Sequence, residues 1–465
     1  MFESFSAALG GVIMPTLLIL CGIVLAVRIK LFRLLRPSRF AATLKEASAE
    51  EGTSPVKAMC TALAGTLGVG NIAGVATAIT AGGAGAVMWM WIGALFSMSV
   101  KYGEVSLAVK YRRTSGGQYY GGSMYTMRDG LGGRIGVKLS AALGGVFAIM
   151  CLINSLVTGN IVQSNSAAAV FGNIPKIAMG ILLAAGIIFA SASGKSRITS
   201  LTYALIPPLS GVYIALSLIV IISNSSLLPE ILRDIAAGAF SMRAAAGGAA
   251  GITVREAVRF GVTRGIFSNE AGCGTAPSAH ASANVKSPHH QGCFGIFEVI
   301  ADTLVLCSMT AFVILIAEKR GIFAPGADGV PLTLASFDSL LGRFAFYAIG
   351  ISVILFAYAT LLAQQYYGQV AIGYFTSSKL PCRVFTFISA AAAVIGAVMN
   401  VKAMWGIADI VVGVMTVVNV TVLLILSREV SAIARDGING APSRKSPVHI
   451  TSCGRVVTEK RKESI

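Results

Sequence analysis

Long apolar runs alternate with short polar ones along this chain, and the apolar runs share one length. Windows of about 20 apolar residues, the length of helix that crosses a bilayer, recur near 11–27, 57–81, 85–109, 137–171, 176–193, 200–223, 251–279, 293–317, 344–375, 383–400 and 403–427. The pattern predicts an all-α polytopic membrane protein of about eleven transmembrane helices, with no soluble domain between them. The windows at 137–171 and 344–375 exceed one span, which predicts tilt or an appended interfacial turn.

Two of the apolar runs are interrupted alike, by Asn71-Ile72-Ala73-Gly74 and, 198 residues later, by Asn269-Glu270-Ala271-Gly272. Gly65, Gly68 and Gly70 precede the first, while Gly265 precedes and Gly274 with Pro277 follows the second, so helix unwinds readily at both. Unpaired backbone N–H and C=O groups are costly in hydrocarbon, and irregular backbone survives there only where it is buried in protein or lines a cavity. Matching interruptions in two halves therefore point to a binding site.

With the first helix as an accessory, the other ten divide into five plus five, each half opening on a broken helix. A five-span unit ends on the side opposite its start, so its copy enters inverted, with the site near the midplane. The predicted organisation is an N-terminal accessory helix and basic loop (1–50), a first repeat (51–224), an extracellular connection (225–250), a second repeat (251–427) and a basic tail (428–465).

Composition agrees, with 55% hydrophobic and 12% charged residues. The formal net charge of +17 becomes intelligible when sorted by loop: one alternating set holds about 26 of the 37 Lys and Arg, the other about 7. Positive residues accumulate in cytoplasmic loops, which predicts a bacterial inner (plasma) membrane protein with its N-terminus outside and its C-terminus inside. Nucleic-acid binding, which needs basic residues interleaved with aromatics on one folded surface, does not fit cations spread along membrane borders. The eight Cys lack metal-ligand spacing and read as small core residues. Met1-Phe2-Glu3 lacks the positive start of a secretory signal, so the first window is expected to remain as an anchor. The polar tail from Arg428, ending in Glu459-Lys460-Arg461-Lys462-Glu463, is expected to be disordered.

The third span of each half carries polar groups, Asn160, Gln163, Ser164 and Asn165 in one and Thr360, Gln364 and Gln365 in the other. Four helices thus converge on one polar centre, although Asn and Gln also brace broken helices or join neighbours. Glu270, a carboxylate at depth, needs a cavity or a partner, and both an anchor for unwound N–H groups and an ion site fit it. Asp302 and Glu298 share one face and suit a structural or gating role beside His280 or His289. Lys101 with Glu104, and Lys402 with Asp409, read as self-compensating pairs, and three of the four His fall in one loop expected to be solvated.

Longer motifs carry a family resemblance. Gly68-Val69-Gly70-Asn71-Ile72-Ala73-Gly74-Val75, Gly82-Gly83-Ala84-Gly85-Ala86-Val87-Met88-Trp89-Met90-Trp91 and Arg264-Gly265-Ile266-Phe267-Ser268-Asn269-Glu270-Ala271-Gly272 strongly resemble the alanine or glycine:cation symporter family. So do Gly159-Asn160-Ile161-Val162-Gln163-Ser164-Asn165-Ser166 and Phe356-Ala357-Tyr358-Ala359-Thr360. The resemblance implies a leucine-transporter-like fold of two inverted five-helix repeats, no enzymatic activity, no cofactor, and uptake of small neutral amino acids with Na⁺ or H⁺. It implies a substrate between the unwound stretches, at Thr66, Gly68, Val69, Gly70 and Asn71 and at Phe267, Ser268, Asn269, Glu270 and Gly272, with Asn160, Gln163, Thr360 and Gln364 flanking. Coupling Na⁺ falls near Gly68, Asn71, Ala357 and Thr360. The chemistry agrees: unwound N–H groups suit a carboxylate, carbonyl and amide oxygens suit an ammonium, and hard Na⁺ takes uncharged oxygens.

The chain departs from the family pattern at Gln364, where a pocket-lining Trp is usual, at Ala359, where a hydroxyl is common, at Ala84 for Pro and at Val69 for Thr or Ser. Loss of the indole predicts a larger or more polar amino acid, and loss of the hydroxyl predicts weaker Na⁺ coordination or a shift toward H⁺. A channel-like or carrier protein for a larger or more polar amino acid, with altered cation coupling, is the alternative. A primary pump is excluded by the lack of a G-x-x-x-x-G-K-[ST] loop, and no nucleophile with a base supports an intramembrane enzyme.

Overall fold

The computed structural model describes residues 13–46, 52–115, 118–240, 254–322, 326–399, 401–439, 448–450 and 456–457. Its helices are α1 (Met14–Ile29), α2 (Pro37–Glu46), α3 (Pro55–Thr66), α4 (Ala73–Gly82), α5 (Gly85–Lys110) and α6 (Ser123–Ile135). Next come α7 (Val137–Ala168), α8 (Lys176–Ser191), α9 (Lys195–Ser223), α10 (Leu228–Phe240), α11 (Val254–Asn269) and α12 (Pro288–Lys319). The chain continues with α13 (Gly329–Leu341), α14 (Arg343–Phe375), α15 (Lys379–Val398), α16 (Val401–Ile425) and α17 (Ser427–Ile438). Among the described residues six helices are long and apolar enough to cross a membrane, and the bent pair α3 with α4, taken as one span, makes a seventh. α1, α8 and α13 are shorter apolar helices.

Both expected interruptions are breaks in helix. α3 stops at Thr66, a single 3₁₀ turn covers Val69–Asn71, and α4 departs at 59° to α3. In the second half α11 ends at Asn269, and Glu270, Gly272 and Gly274 take left-handed φ values of 49°, 85° and 78° before Pro277 opens a short helical turn. Three such residues in five cannot continue a right-handed helix. Two long helices also loosen locally into π-helix, α7 at Ser155–Ile161 and α12 at Ile300–Cys307. Such segments leave backbone groups off the regular ladder and concentrate at functional sites.

Packing places the breaks at the centre. α5 packs on α11 and α12, α3 packs on α9 and α14, and α8 lies along α15. α5 meets α10 where Gly85 faces Gly238: a Cβ on Gly85 would lie 2.3 Å from the Gly238 carbonyl oxygen, so no side chain fits there. Outward positions such as Phe189, Ile222 and Phe387 are apolar and exposed, as a lipid-facing surface requires.

The tail differs from expectation, since α17 occupies its start. Val430 and Ala434, one turn apart in a polar stretch, bury against the body, and Arg28 donates to Ser427 Oγ at 2.8 Å. Glu429 accepts from Lys110 Nζ at 2.6 Å, from Tyr111 at 2.5 Å and from Arg134 at 3.3 Å. Strands Val448–Ile450 and Val456–Val457 join the hairpin formed by Arg113–Ser115 and Gln118–Tyr120. The charged end at 459–463, the first residues of the anchor, and 241–250 of the expected extracellular connection lie outside the described residues.

Expected charge pairings are rewired. Lys101 reaches Glu298 on α12 at 3.4 Å rather than Glu104, which accepts from Gly274 N at 3.0 Å and from Asn419 Nδ2 at 2.6 Å. Fixed on one helix three residues apart, Lys101 and Glu104 point to different neighbours because α12 and the unwound stretch approach from different sides. His280 and His289 are buried, not solvated: His280 Nε2 contacts Glu298 at 2.8 Å and His289 Nδ1 contacts Tyr102 OH at 2.8 Å. The side chain of Lys402, expected beside Asp409, lies outside the described residues.

Candidate functional site

The two breaks face each other across a small cavity lined by Gly65, Thr66 and Gly70 from the first, Phe267 and Glu270 from the second, Thr158 and Gln163 from α7, and Thr360 and Gln364 from α14. Its volume is about 10 Å³, room for roughly one water molecule. The walls therefore stand closed on each other.

Glu270 spans this closure. Its left-handed backbone turns the carboxylate into the cavity, where Oε2 accepts from Thr275 at 2.6 Å and Oε1 accepts from Gln364 Nε2 at 3.2 Å. The first bond stays within the unwound stretch, whereas the second crosses to α14. On the opposite wall Gln163 Oε1 accepts the freed Val69 N–H at 3.2 Å. Gly68 is pressed against α7 and α14, since a Cβ there would lie 2.5 Å from Thr360 Oγ1 and 2.9 Å from Gln163 Oε1. Ala357, one turn before Thr360, is fully buried.

A second polar group lies behind the cavity, centred on Asp302 in the π-helical turn of α12. Oδ1 accepts from Asn71 Nδ2 at 2.7 Å, while Oδ2 accepts from Ser268 at 2.9 Å and from Thr303 at 2.8 Å. Asn269 donates to Thr303 Oγ1 at 3.1 Å and accepts the Ala271 N–H at 3.0 Å, bracing the start of the break. The repeated asparagines thus have different neighbours: Asn71 joins the first break to Asp302, and Asn269 ties its own break to the adjoining Thr303.

Several buried amide and hydroxyl atoms here have no hydrogen-bond partner within the protein: Thr158 Oγ1, both polar atoms of Asn160, Gln364 Oε1 and Asn71 Oδ1. Native interiors leave few such atoms, and each carries a desolvation cost of about 1–3 kcal/mol. Thr158 and Gln364 line the cavity and Asn71 the space beside it, while Asn160 is buried and lines neither; the two cavity oxygens suit a polar ligand.

Of the residues singled out in the sequence, Thr66, Gly70, Gln163, Phe267, Glu270, Thr360 and Gln364 line the cavity. Gly68 and Asn71 line the adjoining space with Tyr213 and Phe356. Ser268 and Asn269 turn toward Asp302 and Thr303, and Gly272 faces away, its carbonyl accepting from Asn419 at 2.9 Å. Asn165 and Gln365 are structural ties, bonded to the carbonyls of Gly396 and Met399 and to Thr386. Missed from sequence were Gly65, Thr158 and Thr275, small residues without a signal of their own. Asp302 was visible as a carboxylate within an apolar run, but its link to Asn71 is a tertiary fact.

A multi-pass helical protein with two opposed broken helices and a buried polar site between them is a secondary transporter of the leucine-transporter-like fold. Solved transporters share the architecture: the Eremococcus coleocola manganese transporter (H236A mutant) aligns with a TM-score of 0.51 and 13% identity over 84% of this chain and 80% of that one. A Na⁺-coupled sialic acid symporter in a substrate-bound outward-open state aligns at 0.50 and 12%, over 94% and 87%. Residues 1–449 match the sodium:alanine symporter family, and the chain belongs to it. Membership places it among Na⁺-coupled amino-acid symporters, not enzymes. Among its relatives are the probable sodium/glutamine symporter GlnT of Bacillus subtilis, 34% identical over 93% of this chain and 89% of that protein. The sodium/alanine symporter AgcS of Methanococcus maripaludis is 36% identical over 82% and 84%.

Proposed function

We propose that this protein takes up a neutral amino acid with Na⁺ by alternating access, and that the cavity between Thr66–Asn71 and Phe267–Glu270 is its substrate site. The observation that carries the reading is the cavity where both breaks converge, lined by the Glu270 carboxylate and by the unpartnered buried oxygens of Thr158 and Gln364. An α-carboxylate takes freed N–H groups of the first break, and an α-ammonium takes the Glu270 carboxylate with the Thr158 and Gln364 oxygens. Na⁺ takes carbonyls of Gly68–Asn71 and Ala357 with the Thr360 hydroxyl. The closeness of Gly68 to Thr360 supports that ion assignment.

The side-chain preference follows from Gln364. An amide that lines the cavity and bonds Glu270 offers a polar wall, which favours glutamine-sized polar substrates alongside alanine and glycine. The eleven apolar windows become eleven spans in this reading, with the N-terminus outside and the C-terminus in the cytoplasm. Uptake into proteoliposomes, run with a panel of amino acids with and without a Na⁺ gradient, tests it. Strictly alanine-selective transport would refute the Gln364 argument, and uptake indifferent to Na⁺ would refute the ion site.

A further inference from the structure

A larger cavity of about 730 Å³ opens on the face that carries the basic loops. It lies between the 113–120 hairpin, the α8–α9 turn, the end of α14 and the start of α15, and no residue of either broken helix lines it. The cavity is therefore separate from the proposed substrate site.

Its chemistry is one-signed. Among the described residues Arg113, Arg128, Lys195, Lys379 and Arg383 line it, and no Asp or Glu does. Asp129, close by, pairs with Arg113 at 2.7 Å and Arg128 at 3.1 Å. Lys195 lies over the Tyr120 ring at 4.2 Å. Two long helices begin at this cavity, α9 of 29 residues and α15 of 20, so the positive ends of two helix dipoles add to the cations. Gln369 is 7% exposed, lines the cavity and has no side-chain hydrogen bond among the described residues. The Ser191 hydroxyl, also on the wall, is buried without a partner. A solvated topogenic border needs neither feature, because its polar groups face water.

The helix α15 shows what enters. Lys379, Cys382, Arg383 and Thr386 line the cavity at spacings of three and four, one helical face. Leu380, Val384 and Phe387, on the adjoining face, are 66%, 49% and 63% exposed, and Phe375 at the end of α14 is 54% exposed. Anion-binding and lipid-facing surfaces thus meet along one helix.

We propose that this cavity binds the phosphate-bearing headgroup of an anionic phospholipid, whose acyl chains lie along Leu380, Val384 and Phe387. The cations and helix N-termini hold the phosphate, and Gln369 with Ser191 bonds the polar remainder of the headgroup. A soluble phosphate compound shares the first requirement but not the apolar flank.

Thermal unfolding of the purified full chain in neutral detergent tests this, with phosphatidylglycerol or phosphatidylcholine added to the micelles and inorganic phosphate as the soluble arm. Phosphatidylglycerol is expected to raise Tm more than phosphatidylcholine, and inorganic phosphate is expected to leave it unchanged. The combined variant Lys195→Gln, Lys379→Gln, Arg383→Gln is expected to weaken the phosphatidylglycerol effect by roughly 100-fold in lipid concentration, at about fivefold per cation. It keeps wild-type stabilisation by Na⁺, which shows that its fold is intact. Should it fail to fold, Arg383→Gln, at an exposed position, carries the test with about a fivefold shift. Equal effects of the two lipids, or an undiminished effect on the variant, would overturn the site. An equal shift with inorganic phosphate would overturn the lipid assignment in favour of a soluble anion.

Discussion

Gly68→Ala adds one methyl group at the contact between the first break and the two flanking helices. That carbon would lie 2.5 Å from Thr360 Oγ1 and 2.9 Å from Gln163 Oε1, against an ordinary contact of at least 3.4 Å. The oxygens must retreat by about 0.9 and 0.5 Å, yet Thr360 Oγ1 is bonded to Phe356 O at 3.1 Å and Gln163 holds Val69 N–H at 3.2 Å. Overpacking of this kind costs about 1–3 kcal/mol. If that cost falls on the Na⁺-bound geometry, Na⁺ affinity drops roughly 5- to 150-fold. The assay is amino-acid uptake into proteoliposomes as a function of external Na⁺, with Na⁺-dependent thermal stabilisation as a transport-free check. Gly74→Ala is the control: its Cβ meets no heavy atom within 4 Å, and a helical Gly→Ala change stabilises by roughly 0.5–1 kcal/mol. Wild-type Na⁺ dependence in Gly68→Ala, or equal damage in both variants, would refute the reasoning.

Gln364→Trp should fill the polar wall and remove the Glu270 bond, lowering glutamine competition against labelled alanine at least tenfold while alanine uptake persists; unchanged competition argues that Gln364 does not face substrate. Asp302→Asn removes the charge that three buried donors share, and at about 1.5–3 kcal/mol per charged hydrogen bond it should lower Tm by several degrees and abolish transport, read by thermal unfolding and uptake together. Burial raises the pKa of Glu429, but hydrogen bonds from Lys110 and Tyr111 with the charges of Lys110 and Arg134 outweigh it and leave the carboxyl below its usual value. The folded state then binds fewer protons than the unfolded one, so docking of α17 is held above the ordinary carboxylate pKa and lost as pH falls through the lowered value. Hydrogen exchange across residues 427–438, corrected for intrinsic pH dependence, should speed up in acid, and Glu429→Gln should flatten that response.

The apolar windows located the long helices to within a few residues because burial in lipid demands a continuous apolar run, and the two breaks were legible because glycine clusters mark them. What escaped depends on how helices meet. Lys101 and Glu104 looked paired along one helix, but each found a partner on another element. His280 and His289 looked like loop residues, since nothing local reveals that Glu298 and Tyr102 close over them. α17 escaped because two small apolar contacts and one three-way carboxylate anchor outweigh a polar composition. The residues of the cavity wall were mostly named, but the contact of Ser268 with Asp302 depends on how α11 meets α12, and the outward turn of Gly272 follows from left-handed geometry that no motif spelled out.

That geometry bears on how the protein changes over generations. A glutamate at φ 49° carries a backbone cost on the order of 1–3 kcal/mol, which glycine would not incur. On the backbone alone, replacement of Glu270 by Gly is a downhill step, and that gain offsets the loss of the bonds from Thr275 and Gln364. A mutational scan scored for folded abundance should therefore tolerate Gly at 270, whereas the same scan scored for growth on an imported amino acid should reject it. The gap between the two scores measures the selection needed to keep a carboxylate where the backbone resists one.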